Sequence, residues 1–161
     1  MKRYPESSIG KRSDNLVPTH WPQAAVSIIV FRDDYVLLGQ RAKPPLTGVW
    51  SLPGGRIEPV EPLRTAALRE LNEETGVSAT ITGLADTRDI ITHDDAGHLS
   101  AHYVVTVFVG MWTKGEPRAA SDCLDAAWVR ITDLANYGMT EGTKALIEHV
   151  WETMVQATDC T

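Results

Sequence analysis

The chain has 161 residues, 43% hydrophobic and 22% charged, with 15 Lys and Arg against 21 Asp and Glu for a formal net charge of −6. That is enough for one ordinary globular domain with a real core, and two domains are not expected. The acidic balance argues against extended contact with a nucleic-acid duplex, which needs Lys and Arg to displace counterions. It permits a small phosphorylated substrate if divalent cations lie between carboxylates and phosphates. The longest apolar run, near "AAVSIIVF" (24–31), is far short of the ~20 residues of a membrane span. The opening "MKRYPESSIGKRSDN" lacks the apolar region of a secretory signal. Cys123 and Cys160 form no metal-ligand or redox spacing and read as free thiols, which makes the cytoplasm the expected location.

Residues 1–20 read as a polar N-terminal arm, and 21–157 as a single domain. "AAVSIIVF" and "YVLLGQR" are β-branched-rich runs split by "RDD" (32–34), a hairpin signal weakened by the lack of Gly in the turn. "KPPLTGVWSLPGGRIEPVE" (43–61) holds four Pro and three Gly, so a long ordered loop is expected, with a short strand at "VWSL". A helix should follow. Glu61 stands at its N-cap, Pro62 at its first position and Gly76 just past its end, with Leu63, Ala67 and Leu71 facing the core and Leu68 beside them. Strands are expected at 77–90, 99–112 and 124–131, a turn or short helix at "TDLANY", and a helix over 140–155. The order β-β-loop-α-β-β-β-α implies an α/β fold, a mixed sheet with helices on both faces.

The helix carries an oddity. "RELNEETG" (69–76) puts Glu70, Glu73 and Glu74 within about 100° of arc. Like charges three and four apart destabilise a helix by roughly 0.2–0.5 kcal/mol a pair. Arg69 lies about 40° around the helix from Glu73. Gly54 and Gly55 let the preceding loop approach a ligand closely. Carboxylate-only donors select hard cations, Mg²⁺ or Mn²⁺, and the lack of nearby Cys or His argues against zinc. Three glutamates on a helix are most often a solvated face. The conjunction with the Gly pair, the Pro loop, Glu61 and Arg69 favours a site where a cation and a phosphate relieve the repulsion.

That conjunction resembles a known motif. Residues 55–77, "GRIEPVEPLRTAALRELNEETGV", match the Nudix box G-x5-E-x7-R-E-U-x-E-E-x-G-U, U being a bulky aliphatic, through Gly55, Glu61, Arg69, Glu70, Leu71, Glu73, Glu74, Gly76 and Val77. Val60 departs from the Gly found there in many members. The flanking "VLLGQRAKPPLTGVWSLPGG", "HYV" (102–104) and "DCLDAAWV" (122–129) look most like the ADP-ribose pyrophosphatase branch. The resemblance implies a Nudix-type α/β/α sandwich and Mg²⁺-dependent hydrolysis of a nucleoside diphosphate derivative, ADP-ribose to AMP and ribose 5-phosphate first among them. An oxidised nucleoside triphosphate or another nucleotide sugar is the alternative, and a non-catalytic Nudix-fold module a remoter one. By the same resemblance Glu70 and Glu74 are the main metal ligands, Glu73 a third ligand or the base, and Arg69 the group that orients the catalytic glutamate. Asp122, Asp125 and Glu141 are candidates for a later-loop base. Arg41 is a candidate for a substrate phosphate and Trp50 for stacking a base, against the ordinary readings of a surface arginine and a core tryptophan. The expected partner is a small nucleotide, with a homodimer left open.

Overall fold

The computed structural model describes residues 21–44, 46–120 and 123–159. The expected arm 1–20, Asp122 and Cys160 lie outside them. Strands β1 (Gln23–Arg32) and β2 (Tyr35–Arg41) form the expected antiparallel hairpin. Its turn closes without glycine because Asp33 takes the left-handed conformation, φ 50°. A short polar side chain tolerates that region better than most. β3 (Trp50–Ser51) and β4 (Gly54–Arg56) follow, then helix α1 (Leu63–Thr75), the long hairpin β5 (Ser78–His93) and β6 (Leu99–Lys114), and β7 (Cys123–Arg130). A 3-10 turn (Ile131–Asn136) and helix α2 (Thr143–Asp159) complete the chain.

The sheet runs β3-β2-β1-β6-β5, with β4 added to β1 and β7 to β2. Among the named strands of the described residues the β1–β6 pairing is parallel and the others antiparallel, so the sheet is mixed. β1 is its pivot. One edge carries β6 along nearly its whole length, and the other takes β2 at Phe31 and β4 at Ala25–Ser27. Its faces alternate with the period of two that a strand imposes. Ala25, Ile29 and Phe31 join the cluster under α2 with Leu146, Ile147 and Val150. Val26, Ile28 and Val30 join the cluster under α1 with Ala66, Ala67 and Leu71. Each fully buried Ile, Val or Leu contributes about 1.5–3 kcal/mol. No helix among the described residues is long and apolar enough to cross a membrane.

The structure departs from the sequence expectation at the start of α1. Pro62, not Glu61, is the N-cap residue, and no side chain caps the helix there. Leu63 is 42% exposed and does not face the core. Ala66 and Thr75 are buried in its stead, alongside the expected Ala67 and Leu71. Two adjacent alanines let the helix backbone sit close on the sheet, while in the first turn the Arg64 guanidinium lies 5.5 Å from the Phe108 ring of β6. Gly76 does end the helix, with φ 71° and its amide donating to the Asn72 carbonyl at 2.9 Å.

Candidate active site

The Gly54–Gly55 pair is held by the sheet. As β4 it pairs Gly54 with Ser27 and Gly55 with Val26. A Cβ at Gly54 would press into the Val26 carbonyl and lie 2.7 Å from Ser27 Cα, so only glycine fits. A Cβ at Gly55 would lie 2.5 Å from Glu70 Oε1. The loop backbone therefore rests directly against the acidic edge of α1. On its other side the Gly54 amide donates to Glu74 Oε2 at 3.1 Å.

Arg69 organises the rest. Its Nε and Nη2 donate to the two carboxylate oxygens of Glu61 at 2.8 and 2.9 Å, a bidentate pair. Its Nη1 donates to Glu70 Oε1 at 2.9 Å and Glu73 Oε2 at 3.1 Å, and Nη2 also reaches the Arg56 carbonyl at 3.2 Å. Glu61 thus closes the loop by a different route from the one its position suggests. Freed from capping, it takes Arg69 and the Glu58 amide at 3.0 Å. The Arg69 guanidinium, with that amide, holds the Glu61 carboxyl down at about 2. Arg69 in turn is held above its ordinary range, chiefly by Glu61. Exposure grades along the edge: the Glu70 side chain is 16% exposed and that of Glu73 is 52%. The repulsion read from the sequence is therefore offset in part within the chain itself, because one guanidinium binds Glu70 and Glu73 together with Glu61, while Glu74 takes the Gly54 amide.

Behind the helix lies a contact with no local sequence signal. The Arg118 amide donates to the Thr75 carbonyl at 3.0 Å and the Ala120 amide to the Glu74 carbonyl at 3.2 Å. A strap at 115–120 thus satisfies carbonyls that the last turn of α1 leaves open. Thr75, buried, closes the turn further by donating to the Leu71 carbonyl at 2.6 Å and accepting from the Val77 amide.

The remaining candidates make no hydrogen bond to the Arg69 cluster among the described residues. Arg41 ends β2, and its buried Nε has no hydrogen-bond partner among the described residues. Trp50 is seated edge-on against Tyr137, centroids 5.3 Å apart, and packs on the α2-side cluster. Its backbone is tied to Gly138 and Thr140. Asp125 is exposed and accepts from the Ala126 amide, and Glu141 is exposed in the turn before α2. Neither joins the Arg69 cluster.

No three His, Cys, Asp or Glu side chains among the described residues are grouped to hold a metal ion by themselves. This suits a hard cation that takes one or two carboxylates and completes its shell with waters and substrate phosphates. The all-oxygen donors and the backbone cradle at Gly55 fit such an ion.

A mixed sheet faced by helices on both sides, with a glycine loop docked on a carboxylate-lined helix, places the chain in the α/β class. Residues 21–150 match the family model for the NUDIX domain, and the chain belongs to that family. It is a Nudix pyrophosphohydrolase of nucleotide derivatives. It is 30% identical over 134 residues to the ADP-ribose pyrophosphatase of Methanocaldococcus jannaschii, covering 83% of this chain and 77% of that one. It is likewise 30% identical over 106 residues to the nucleoside triphosphatase NudI of Klebsiella pneumoniae, covering 62% and 74%. Among solved structures, the NUDIX domain of Shewanella oneidensis NrtR complexed with ADP ribose superposes with a TM-score of 0.69 at 25% identity, covering 83% of this chain and 89% of that one.

Proposed function

We propose that this chain, acting as one domain over 21–157, hydrolyses ADP-ribose to AMP and ribose 5-phosphate with Mg²⁺. The observation that carries the site is the Arg69 network, which sets Glu70 against Gly55 and Glu73 beside it, while Glu74 meets the Gly54 amide. Glu70 and Glu74 would hold the cation, which takes one or two carboxylates and leaves room for water and substrate phosphate. When bound, that ion offsets phosphate charge and lowers the pKa of water, with Mn²⁺ as a substitute. Glu73, the more exposed of the Arg69-bound pair on the helix, accepts the proton as water attacks phosphorus and the P–O–P bond breaks. Arg69 fixes the rotamers of Glu70 and Glu73, so both carboxylates meet the substrate in one geometry. Arg41, with its unpaired buried Nε, is assigned to a substrate oxygen. Trp50 keeps the packing role its contacts describe.

The ADP-ribose assignment draws on the Methanocaldococcus relative and on the ligand in the Shewanella structure. The Klebsiella relative favours a second reading, a nucleoside triphosphate on the same site. Incubation with dinucleotides, nucleotide sugars and nucleoside triphosphates, with Mg²⁺ or EDTA, decides between them. ADP-ribose should yield AMP, and EDTA should stop the reaction. A specificity constant ~100-fold higher on a triphosphate, about 2.7 kcal/mol in transition-state binding, sinks the assignment.

A further inference from the structure

Among the described residues β5 is the outer strand of the sheet beyond β6, and no described strand pairs with its other edge. Register shifts interrupt it at Ser78/Ala79, Ile81/Gly83, Leu84/Asp86 and Thr92/His93, leaving an unbroken run from Asp86 to Thr92. A free strand edge offers unpaired N–H and C=O groups, which proteins usually cover or blunt. Here apolar residues flank it on both faces. Ile90 stands opposite Tyr103 and Ile91 opposite His102, 49% and 51% exposed, and Leu84 is 61% exposed nearby. Leu84 also lines a groove of about 460 Å³ between β5 and α2, with Met111, Val150 and Met154. At Thr87 the amide donates to the Asp86 carboxylate at 2.8 Å, a side chain standing where a neighbouring strand's carbonyl would be.

The charges on this edge identify its occupant. Asp86 and Arg88 lie two apart on one face, opposite Val107 and Val105, and are paired at 3.0 Å. We propose that β5 pairs antiparallel with β5 of a second copy of this chain, about a two-fold axis at Thr87. In that register Arg88 faces Asp86 of the second copy and Asp86 faces its Arg88, two opposite-charge cross-strand pairs. Shifting the axis to Arg88 or Asp89 sets like charges against each other, and shifting it to Ile90 sets Asp86 against Asp94. Only the Thr87 register is self-complementary among these.

Sedimentation equilibrium of the whole chain, up to ~100 µM, tests this. The wild type should be a dimer. Arg88→Asp turns both pairs repulsive and should weaken dimerisation about 30-fold. The double exchange Asp86→Arg with Arg88→Asp restores both pairs and should recover the wild-type constant. Melting curves report whether each variant folds. If Arg88→Asp does not, Ile90→Lys on the same edge should give a folded monomer. A monomeric wild type, a dimerisation constant left unchanged by Arg88→Asp or by Ile90→Lys, or an exchange that fails to restore the wild-type constant each overturns the proposal.

Discussion

Alanine at Gly54 and alanine at Gly55 add the same methyl group to neighbouring positions, and the structure assigns them opposite consequences. At Gly54 the new Cβ meets the Val26 carbonyl and the Ser27 backbone, atoms of the pivot strand that cannot swing aside. Overpacking of that kind costs about 1–3 kcal/mol, which for a chain of this size lowers Tm by about 3–10 °C. At Gly55 the Cβ meets only the carboxylate end of Glu70, 2.5 Å away, and that end can rotate. The stability cost is then limited to the partly exposed Arg69–Glu70 ion pair, at most about 1 kcal/mol. The chemistry suffers more. A displacement near 1 Å at a catalytic group lowers the rate about 100-fold. The assay is a melting curve and a turnover number for each purified variant on ADP-ribose with Mg²⁺. Gly54→Ala should melt early, and Gly55→Ala should melt near wild type yet turn over about 100-fold slower. A Gly55→Ala enzyme within ~3-fold of wild type, a loss under 1 kcal/mol of transition-state binding, would show that Glu70 has no exacting position to lose.

Glu70→Gln and Glu73→Gln should each lower turnover by orders of magnitude while changing stability by less than ~1 kcal/mol, since Arg69 keeps its bidentate hold on Glu61. Near-wild-type turnover in either folded variant removes that carboxylate from the mechanism. Val60→Gly should raise Tm: this β-branched residue sits fully exposed at φ 57°, where left-handed strain of about 1–2 kcal/mol exceeds glycine's entropic penalty. An unchanged or lower Tm contradicts it. Glu61→Gln is tested by pH. The Glu61 carboxyl is lowered from 4.5 to about 2, so its contribution is complete above pH 4.5 and fades as pH falls towards 2. The wild-type advantage over Glu61→Gln should therefore shrink across that window, and a gap constant down to pH 2 refutes the pairing with Arg69.

The elements easiest to read from the sequence were those whose residues carry their own reason. The β1–β2 runs, the Gly76 stop and the Ala67–Leu71 stripe depend on propensity and period, which short windows contain. β4 escaped notice because its three residues, Gly54 to Arg56, have no strand propensity and extend only by pairing with β1. The role of Glu61 was misjudged for a similar reason. Its position before Pro62 suggests a cap, but a ligand eight residues on, Arg69, competes for the same oxygens and takes them. Leu63 is apolar and periodic with the stripe, and nothing local says that Ala66 and Thr75 take the buried positions in its place. The parallel β1–β6 crossover spans about eighty residues, beyond the reach of any local pattern.

The strap at 115–120 holds the last turn of α1 by two backbone amides, those of Arg118 and Ala120. What these supply is spacing, two donors set two residues apart, so at 118 and 120 the length of the segment matters more than the letter, whereas Gly115, at φ 90° with a Cβ that would lie 2.5 Å from the Gly76 carbonyl oxygen, must stay glycine. Substitutions at Arg118 or Ala120 can drift without disturbing Glu74, proline excepted, because proline alone removes the donor. One residue inserted or deleted in the strap would slide both donors off their carbonyls at once. At 118 and 120, then, helix α1 tolerates changes of letter and is sensitive to changes of count.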